Sequence, residues 1–321
     1  MRIDSITFLI GGELKSSPSI KEIKGFCSNA LDIKRGDLFF AKDKNSIEDA
    51  VKNGAYAIIF EGPVQITDSE IAWIKVNSLE DAALKLLRFF LIQNQTPIIK
   101  LSPTEYDLAK SLTNSEEILF FGDEFIKNFI NFNKNKPKLV LINSYKISKK
   151  LALDLYELNI KENIKIIKEY IFETSFIFKN IYYERVHISS LFIKELNRVL
   201  NIFEEFNILY NLKNIEKFSH FKPIFVDKDF NALEFGKSDK VLIVENDYNL
   251  LENEKKFLER RAKWAKKIYI SDKKIDDFIF INRFDKIDEI LYNLAFNFAL
   301  ICVKDFNIEN LKKEKIYKSL F

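Results

Sequence analysis

The sequence is poor in the residues that build metal sites, disulfide frameworks and tight phosphate-binding loops. Its 321 residues include 2 cysteines, 2 histidines, 8 glycines and 6 prolines. Cys27 and Cys302 stand far apart, and no CxxC pair occurs. Zinc sites need clustered Cys and His ligands, and disulfide frameworks need several cysteines. We therefore expect neither of these, and no metal site.

No sign of charge dominates, and no long apolar run occurs. The 50 basic and 47 acidic residues leave a net charge of +3, and basic runs are short. A nucleic-acid-binding protein carries a concentrated basic patch, so no nucleic-acid partner is expected. A membrane-spanning helix needs about 20 consecutive apolar residues. The sequence predicts no membrane insertion and, without a recognisable cleavable leader, a cytoplasmic protein.

Strand and helix patterns alternate along the chain and predict an α/β fold. The sequence contains 31 phenylalanines. We interpret them as core residues of such a fold rather than as a surface on which nucleic-acid bases stack. The predicted strands are IKRGDLFFA, AYAIIFE, AWIKV, IIKL, EILFFG, KLVLIN, PIFV, KVLIVE, KIYIS and FALICV. The predicted helices cover residues 46–53, 79–93, 193–206 and 251–267. The polar segment 93–97 ends in proline and predicts a linker.

The segment LDIKRGDLFFAKDKNSIEDAVKNGAYAIIFE resembles the uridine-nucleotide-binding domain of the Mur ligases. In that family a Gly-Asp-Leu-Phe-x-Ala segment precedes a helix that ends in Asn-Gly-Ala, and a strand follows. The matching residues here are Gly36, Asp37, Leu38, Phe39, Ala41, Asn53, Gly54 and Ala55.

The C-terminal half resembles the members of this family that add D-alanyl-D-alanine to the murein tripeptide precursor. VDKDFNA follows the rhythm of the family's Asp-Asp-x-Tyr-Asn-Ala linker, and VLIVENDYNLLENEKKFLERRAKWAKK resembles a strand, turn and Glu-rich helix. ALICVKDFNIENLKK stands where the family has a strand, Val-Lys-Gly-Ser-Arg and a closing helix. The resemblance implies a substrate domain at residues 1–95, a reduced central ATPase-like domain at 96–222 and a small Rossmann-like domain at 223–321.

The chain departs from the family where ATP and magnesium would bind. The family has Thr-Gly-x-x-Gly-Lys-Thr after the first strand of the central domain, whereas IIKL is followed here by SPTEYDLAKSL, which contains no glycine. Pro103 removes a backbone donor, Glu105 and Asp107 add negative charge, and Lys110 falls within a predicted helix. Asn143 and Ser144 follow LVLI, where the family has a Mg²⁺-binding Glu. Because these changes are concordant, we predict no catalytic residue and no cofactor.

Six residues remain candidates for substrate binding. Ser28 and Asn29 lie at the family's substrate-contacting Asp-Ser-Arg segment, which reads Asn-Ala-Leu here. His187 lies in a segment that resembles the family's Gly-x-His-Asn, although a structural histidine is the alternative. Asp227 and Asp229 would share one face of a strand, with Asn231 beyond them, unless they are solvated side chains at a hinge.

Three hypotheses follow for the function. The first is a non-catalytic Mur-ligase-like protein, a pseudoenzyme, that binds a peptidoglycan-synthesis protein or a UDP-linked muramyl peptide. The second is an ATP-dependent peptidoglycan-precursor ligase with a reshaped site, which would need ATP and Mg²⁺. The third is a scaffold with no link to murein, since a fold alone does not define a function.

Overall fold

The computed structural model describes residues 1–283 and 285–312, which form a mixed α/β fold with several sheets, as predicted. The chain divides into two compact units, while the predicted three-domain boundaries stay a prediction. No helix of the described part is long and apolar enough to cross a membrane. The first unit contains Met1–Tyr106, Asn114–Asn159 and Glu204–Leu209; the second contains Asp107–Thr113, Ile160–Phe203 and the described chain from Tyr210 onward.

The first unit begins with a five-stranded sheet and its helices. The elements are α1 (Ile3–Ile10), β1 (Glu13–Leu14), β2 (Gly25–Cys27), β3 (Asp37–Ala41), α2 (Asn45–Lys52), β4 (Ala57–Glu61), β5 (Ala72–Val76) and α3 (Leu79–Gln93). The strand order is β1-β5-β4-β3-β2, with β2 to β5 parallel and β1 antiparallel at one edge. β3 is buried along its whole length, which explains its continuous apolar run.

Two glycines of the motif that suggested the family have a structural role. Gly36 and Gly54 both have positive φ, at 107° and 93°, and the Gly36 N–H donates to the Gly54 carbonyl at 3.0 Å. Glycine tolerates this backbone region without steric cost. Asn53 donates its side-chain amide to the Ala30 carbonyl at 2.8 Å. This part of the motif therefore joins the start of β3 to the end of α2.

The first unit continues with a three-stranded parallel sheet in the order β6-β8-β7. α4 begins in the first unit, and its residues from Asp107 belong to the second. The strands predicted at IIKL, EILFFG and KLVLIN are confirmed. The elements are β6 (Ile98–Lys100), α4 (Pro103–Leu112), β7 (Ile118–Phe120), α5 (Phe125–Asn135), β8 (Leu139–Ile142) and α6 (Tyr145–Leu151).

One hydrophobic core joins both sheets of the first unit through α3 and α5. Phe129 of α5 is fully buried at its centre. Its ring lies 4.7 Å from Phe26 and 5.9 Å from both Phe40 and Phe90, between ring centroids. Aromatic groups in such edge-on and tilted contacts add to the stability that burial alone supplies.

The second unit contains two sheets. The first is antiparallel, in the order β11-β10-β9, and was not predicted; the second has the order β12-β13-β16-β14-β15, parallel except for β12. The elements are β9 (Ile164–Glu169), β10 (Thr174–Phe178), β11 (Ile181–Val186), α7 (Ile193–Glu205), β12 (Lys222–Phe225), β13 (Val241–Val244), α8 (Leu251–Arg261), β14 (Lys267–Ser271), β15 (Ile279–Phe280), α9 (Asp285–Asn293) and β16 (Phe298–Cys302).

The helix predicted over residues 251–267 is shorter than expected. α8 ends at Arg261, and Ala262 leaves the helical region with φ −119° and ψ 50°. Ala262 and Ala265 are both buried, and the Ala265 N–H donates to the Ala262 carbonyl at 3.1 Å. A tight turn therefore inserts both alanines into the core, and neither glycine nor proline marks the stop.

Phe129→Ala tests how much the Phe129 ring, at the centre of the shared core of the first unit, contributes to stability. Because it removes a fully buried ring, it should lower the free energy of unfolding by about 3–5 kcal/mol, measured by urea denaturation. Phe8→Ala is the matched control, since the Phe8 side chain is 90% exposed and should change stability by less than about 0.5 kcal/mol. Equal losses in both variants would contradict the assignment.

Candidate functional site

The loop between β6 and α4 is closed by its own side chains. The Ser102 N–H donates to Glu105 Oε2 at 2.7 Å, and the Glu105 N–H donates to Ser102 Oγ at 3.2 Å. This reciprocal pair is a capping box, which satisfies backbone donors at a helix start. Glu105 is buried at 7% exposure, so its carboxylate occupies the helix N-terminus. In a nucleotide-binding loop, phosphate oxygens take that place.

The end of β8 offers no carboxylate for a metal ion. Asn143 and Ser144 follow the strand, and α6 begins at the next residue. The Lys100 and Lys149 ammonium groups lie 5.1 and 4.8 Å from the centre of the Tyr145 ring. Magnesium prefers negatively charged oxygen ligands, so this environment is unfavourable for it. Across the residues that the structure describes, no group of three or more His, Cys, Asp or Glu could hold a metal.

Ser28 and Asn29 follow β2 in the first unit. Asn29 is exposed and caps a short 3₁₀ helix, Ala30–Asp32, by accepting from the Leu31 N–H at 3.3 Å. Its amide also donates to Asp32 Oδ2 at 2.9 Å. Asn29 therefore makes local contacts, and Ser28 beside it is half-buried. Their predicted role in substrate binding stays a prediction.

Asp227, Asp229 and Asn231 lie together in one turn after β12, rather than on one face of a strand. Asp227 Oδ1 accepts from the N–H groups of Asp229 and Asn231, each at 2.8 Å. Asp227 Oδ2 accepts from the Asn231 side-chain amide at 2.8 Å. These Asn231 bonds hold the pKa of Asp227 below its usual value. The carboxylate of Asp227 thus folds the turn, which explains why this segment does not continue the strand.

His187 occupies a separate part of the second unit, just after β11. Its ring stacks on Phe235 with 4.5 Å between centroids and 9° between planes. Nε2 lies 3.5 Å from Glu173 Oε1, and Nδ1 lies 3.7 Å from Glu216 Oε1. The side chain is 41% exposed, so it remains accessible. Of the six predicted substrate-binding residues, His187 is the one that lines the cavity described next.

The cavity beside His187 has a volume of about 780 Å³. It lies between β11 and the 3₁₀ segment Leu212–Lys217. Such a volume accommodates a ligand larger than a single amino acid, within the ~300–1,000 Å³ of small-molecule sites. Besides His187, the polar side chains that line it are Tyr183, Glu184, Arg185, Tyr210, Asn211, Lys213 and Glu216. Rings, both charge signs and a histidine therefore meet at one surface.

A buried ionisable cluster, which sequence reasoning did not identify, lies elsewhere in the second unit. His220 Nδ1 lies 2.8 Å from Glu245 Oε1, and Nε2 lies 3.3 Å from Asp107 Oδ2. Burial alone would lower the pKa of His220, but these two carboxylates outweigh it and raise the pKa to about 9. His220 is thus protonated at neutral pH. The three residues are too far apart in sequence for any local motif to reveal them.

Glu254 of α8 lies beside Glu245 and adds a further carboxyl group to this cluster. Its side chain is fully buried, and neither carboxyl oxygen has a hydrogen-bond partner in the described structure. Burial and the neighbouring Glu245 carboxylate raise the pKa of Glu254 well above its ordinary 4.5. A buried carboxyl in apolar surroundings beside another carboxylate favours its neutral form. Ionisation of Glu254 would therefore destabilise the fold.

Glu254→Gln tests this protonation. Because the folded-state pKa is raised, wild-type stability falls as pH rises above about 4.5. Glutamine cannot ionise, so the variant should gain about 1 kcal/mol or more over wild type near pH 8 and nothing below the unfolded pKa. Urea denaturation across this range measures the difference. Glu252→Gln, on the exposed side of α8, is the matched control. A difference between variant and wild type that does not change with pH would contradict a raised pKa for Glu254.

No protein-family profile matches the chain. Comparison with individual proteins gives two similarities. The UDP-N-acetylmuramoyl-tripeptide–D-alanyl-D-alanine ligase of Rickettsia prowazekii (strain Madrid E) is 25% identical over 175 residues. These are 51% of this chain and 37% of that ligase, so the match spans well under two thirds of the relative's length. The crystal structure of MurF from Acinetobacter baumannii superposes with a TM-score of 0.51 at 10% identity, over 97% of both chains. At that identity the likeness shows the fold alone.

Proposed function

The chain is related to the Mur ligases, and on that premise we propose that it is a non-catalytic binding protein of peptidoglycan-precursor synthesis. Its ligand is a UDP-linked muramyl peptide or a protein of the same process. The relative from Rickettsia prowazekii is named for joining a UDP-N-acetylmuramoyl-tripeptide to D-alanyl-D-alanine. This chain keeps the fold and uses it for binding.

The Glu105 carboxylate at the start of α4 is the observation that carries this proposal. Nucleotide phosphates are bound by free backbone N–H groups, glycines that permit close approach, and a lysine. Here the N–H groups of Ser102 and Glu105 are already used, and Pro103 has none. Glu105 also adds negative charge where a phosphate would need positive charge. Both effects oppose ATP binding and support a role that does not consume ATP.

The cavity beside His187 is the site that we assign to the ligand. A muramyl peptide carries carboxylates, amides and sugar hydroxyls, which need donors, acceptors and apolar walls at one surface. Arg185, Lys213 and His187 supply donors, and Tyr183 and Tyr210 supply rings with hydroxyl groups. The Asp227 carboxylate and the Asn231 amide are bonded to each other within one turn, so we assign them to the fold rather than to the ligand.

The absence of ATP binding is the first expectation. Titration of the purified chain with Mg-ATP should release no saturable heat up to about 1 mM, where the binding free energy is only about −4 kcal/mol. A catalytically active Mur ligase serves as the positive control for the nucleotide. A micromolar dissociation constant would overturn the proposal and favour an ATP-dependent ligase with a reshaped site.

Binding of the precursor is the second expectation. The UDP-linked muramyl tripeptide should bind saturably, and His187→Ala should weaken it about tenfold, equivalent to ~1.4 kcal/mol. Lys134→Ala is the control, because Lys134 is exposed in the first unit and should leave affinity unchanged. Equal affinity in His187→Ala would remove this cavity as the site. If neither wild type nor variants bind the tripeptide, the ligand is instead a protein of the same process.

A further inference from the structure

A second cavity of the second unit is walled by aromatic side chains. It has a volume of about 370 Å³, at the lower end of the ~300–1,000 Å³ range of small-molecule sites. His187 does not line it, although the ring of Phe235, which lines this cavity, stacks on His187. The aromatic residues that line it are Tyr170, Phe172, Phe225, Phe235, Trp264 and Phe298.

The rings form a continuous series of contacts. Trp264 lies 5.9 Å from Phe298, and Phe298 lies 5.9 Å from Phe172. Phe172 lies 6.0 Å from Phe225, and Phe225 lies 4.8 Å from Phe235. All these distances join ring centroids, and the planes are steeply inclined, as favourable aromatic pairs require. The wall is therefore held in place by its own packing.

Two of these rings remain exposed at the mouth of the cavity. Trp264 is 70% and Phe235 is 36% exposed, whereas Phe172, Phe225 and Phe298 are buried. Clustered exposed aromatic groups beside a pocket mark binding sites more often than isolated surface residues do. Trp264 also lies in the tight turn after α8. The buried Ala262 and Ala265 on either side of it fix its position.

Both charged residues that line the cavity are acidic, whereas Lys168 and Arg185 lie over the Tyr170 ring, 5.0 and 5.3 Å from its centre. Glu173 and Asp239 line it, and none of the described residues lining it is a lysine, arginine or histidine. Arg185 already donates to Glu173 Oε2, at 2.7 and 3.0 Å, and so compensates that carboxylate. Asp239 is exposed and makes no ion pair within the described part of the chain. One uncompensated carboxylate thus accompanies a wall of aromatic rings.

We propose that this cavity binds an organic ammonium cation, such as a quaternary or alkylated amine. Aromatic rings attract a cation through their quadrupole, most strongly for tryptophan, and they also bury its alkyl groups. The Asp239 carboxylate selects the charged ligand over a neutral one of equal shape. A bare inorganic cation prefers several oxygen ligands, whereas most residues that line this cavity contribute rings. The site shares no lining residue with the cavity beside His187.

Choline and its neutral isostere 3,3-dimethyl-1-butanol separate charge from shape. Calorimetric titration of the whole chain should show saturable binding of choline and at least about tenfold weaker binding of the isostere, as expected for a desolvated cation–π contact. Trp264→Ala should weaken choline binding about tenfold, and Asp239→Asn should weaken choline but not the isostere. Both side chains are exposed, so these variants should fold normally.

Asp276→Asn is the matched control, because it removes the same charge from another exposed position of the second unit. It should bind choline as wild type does, and none of these substitutions should alter the tripeptide titration. Equal affinity for choline and its isostere would overturn the proposal in favour of a purely apolar pocket. No saturable choline binding, or equal effects of Asp239→Asn and Asp276→Asn, would also overturn it.

Discussion

Glu245 buries a carboxylate at the end of β13, and four donors converge on it. Its Oε1 accepts from the N–H groups of Asn246 and Asp247 at 2.7 Å and contacts His220 at 2.8 Å, while Oε2 accepts from the Phe221 N–H at 3.0 Å. A buried charge is tolerated only when it is paired and fully hydrogen-bonded. The segment before β12, the loop after β13 and Asp107 of α4 are therefore tied to one point. Burial alone would raise the pKa of Glu245, but hydrogen bonds, including that of His220, hold it below its ordinary value.

Three loops that the sequence resemblance matches to ligand-binding segments of the Mur ligases contain side chains that bond within the loop. Asn29 caps a 3₁₀ helix, Ser102 and Glu105 cap α4, and Asp227 folds the turn after β12. A loop that binds a ligand has hydrogen-bond donors or acceptors available for it. In these loops the side chains are hydrogen-bonded to nearby backbone groups instead. The glycines that join β3 to α2 have a packing role instead, and these are retained.

The sequence predicted most strands of the parallel sheets, because strands such as β3, β4 and β8 are buried on both faces and read as continuous apolar runs. It did not predict β2 and β15, which have only 3 and 2 residues. The antiparallel sheet was missed, since β9 and β11 are edge strands whose side chains are mostly exposed and show no regular alternation of apolar and polar residues. The capping box was visible as Ser-x-x-Glu, a recognised helix-start signal. The cluster at His220 was not, because Asp107 lies 113 residues away and only tertiary packing brings them together. His187 was found through family resemblance, but its cavity depends on the segment at 212–217, which carries no motif.

The two tryptophans divide between the two units. Trp73 of β5 is completely buried in the first unit, and Trp264 is 70% exposed in the second. An indole in an apolar core emits at shorter wavelength than one in water, so the two side chains carry separable fluorescence. The emission of each reports on its own unit without any label. The chain thus contains an intrinsic optical means to learn whether its two halves unfold together or one at a time.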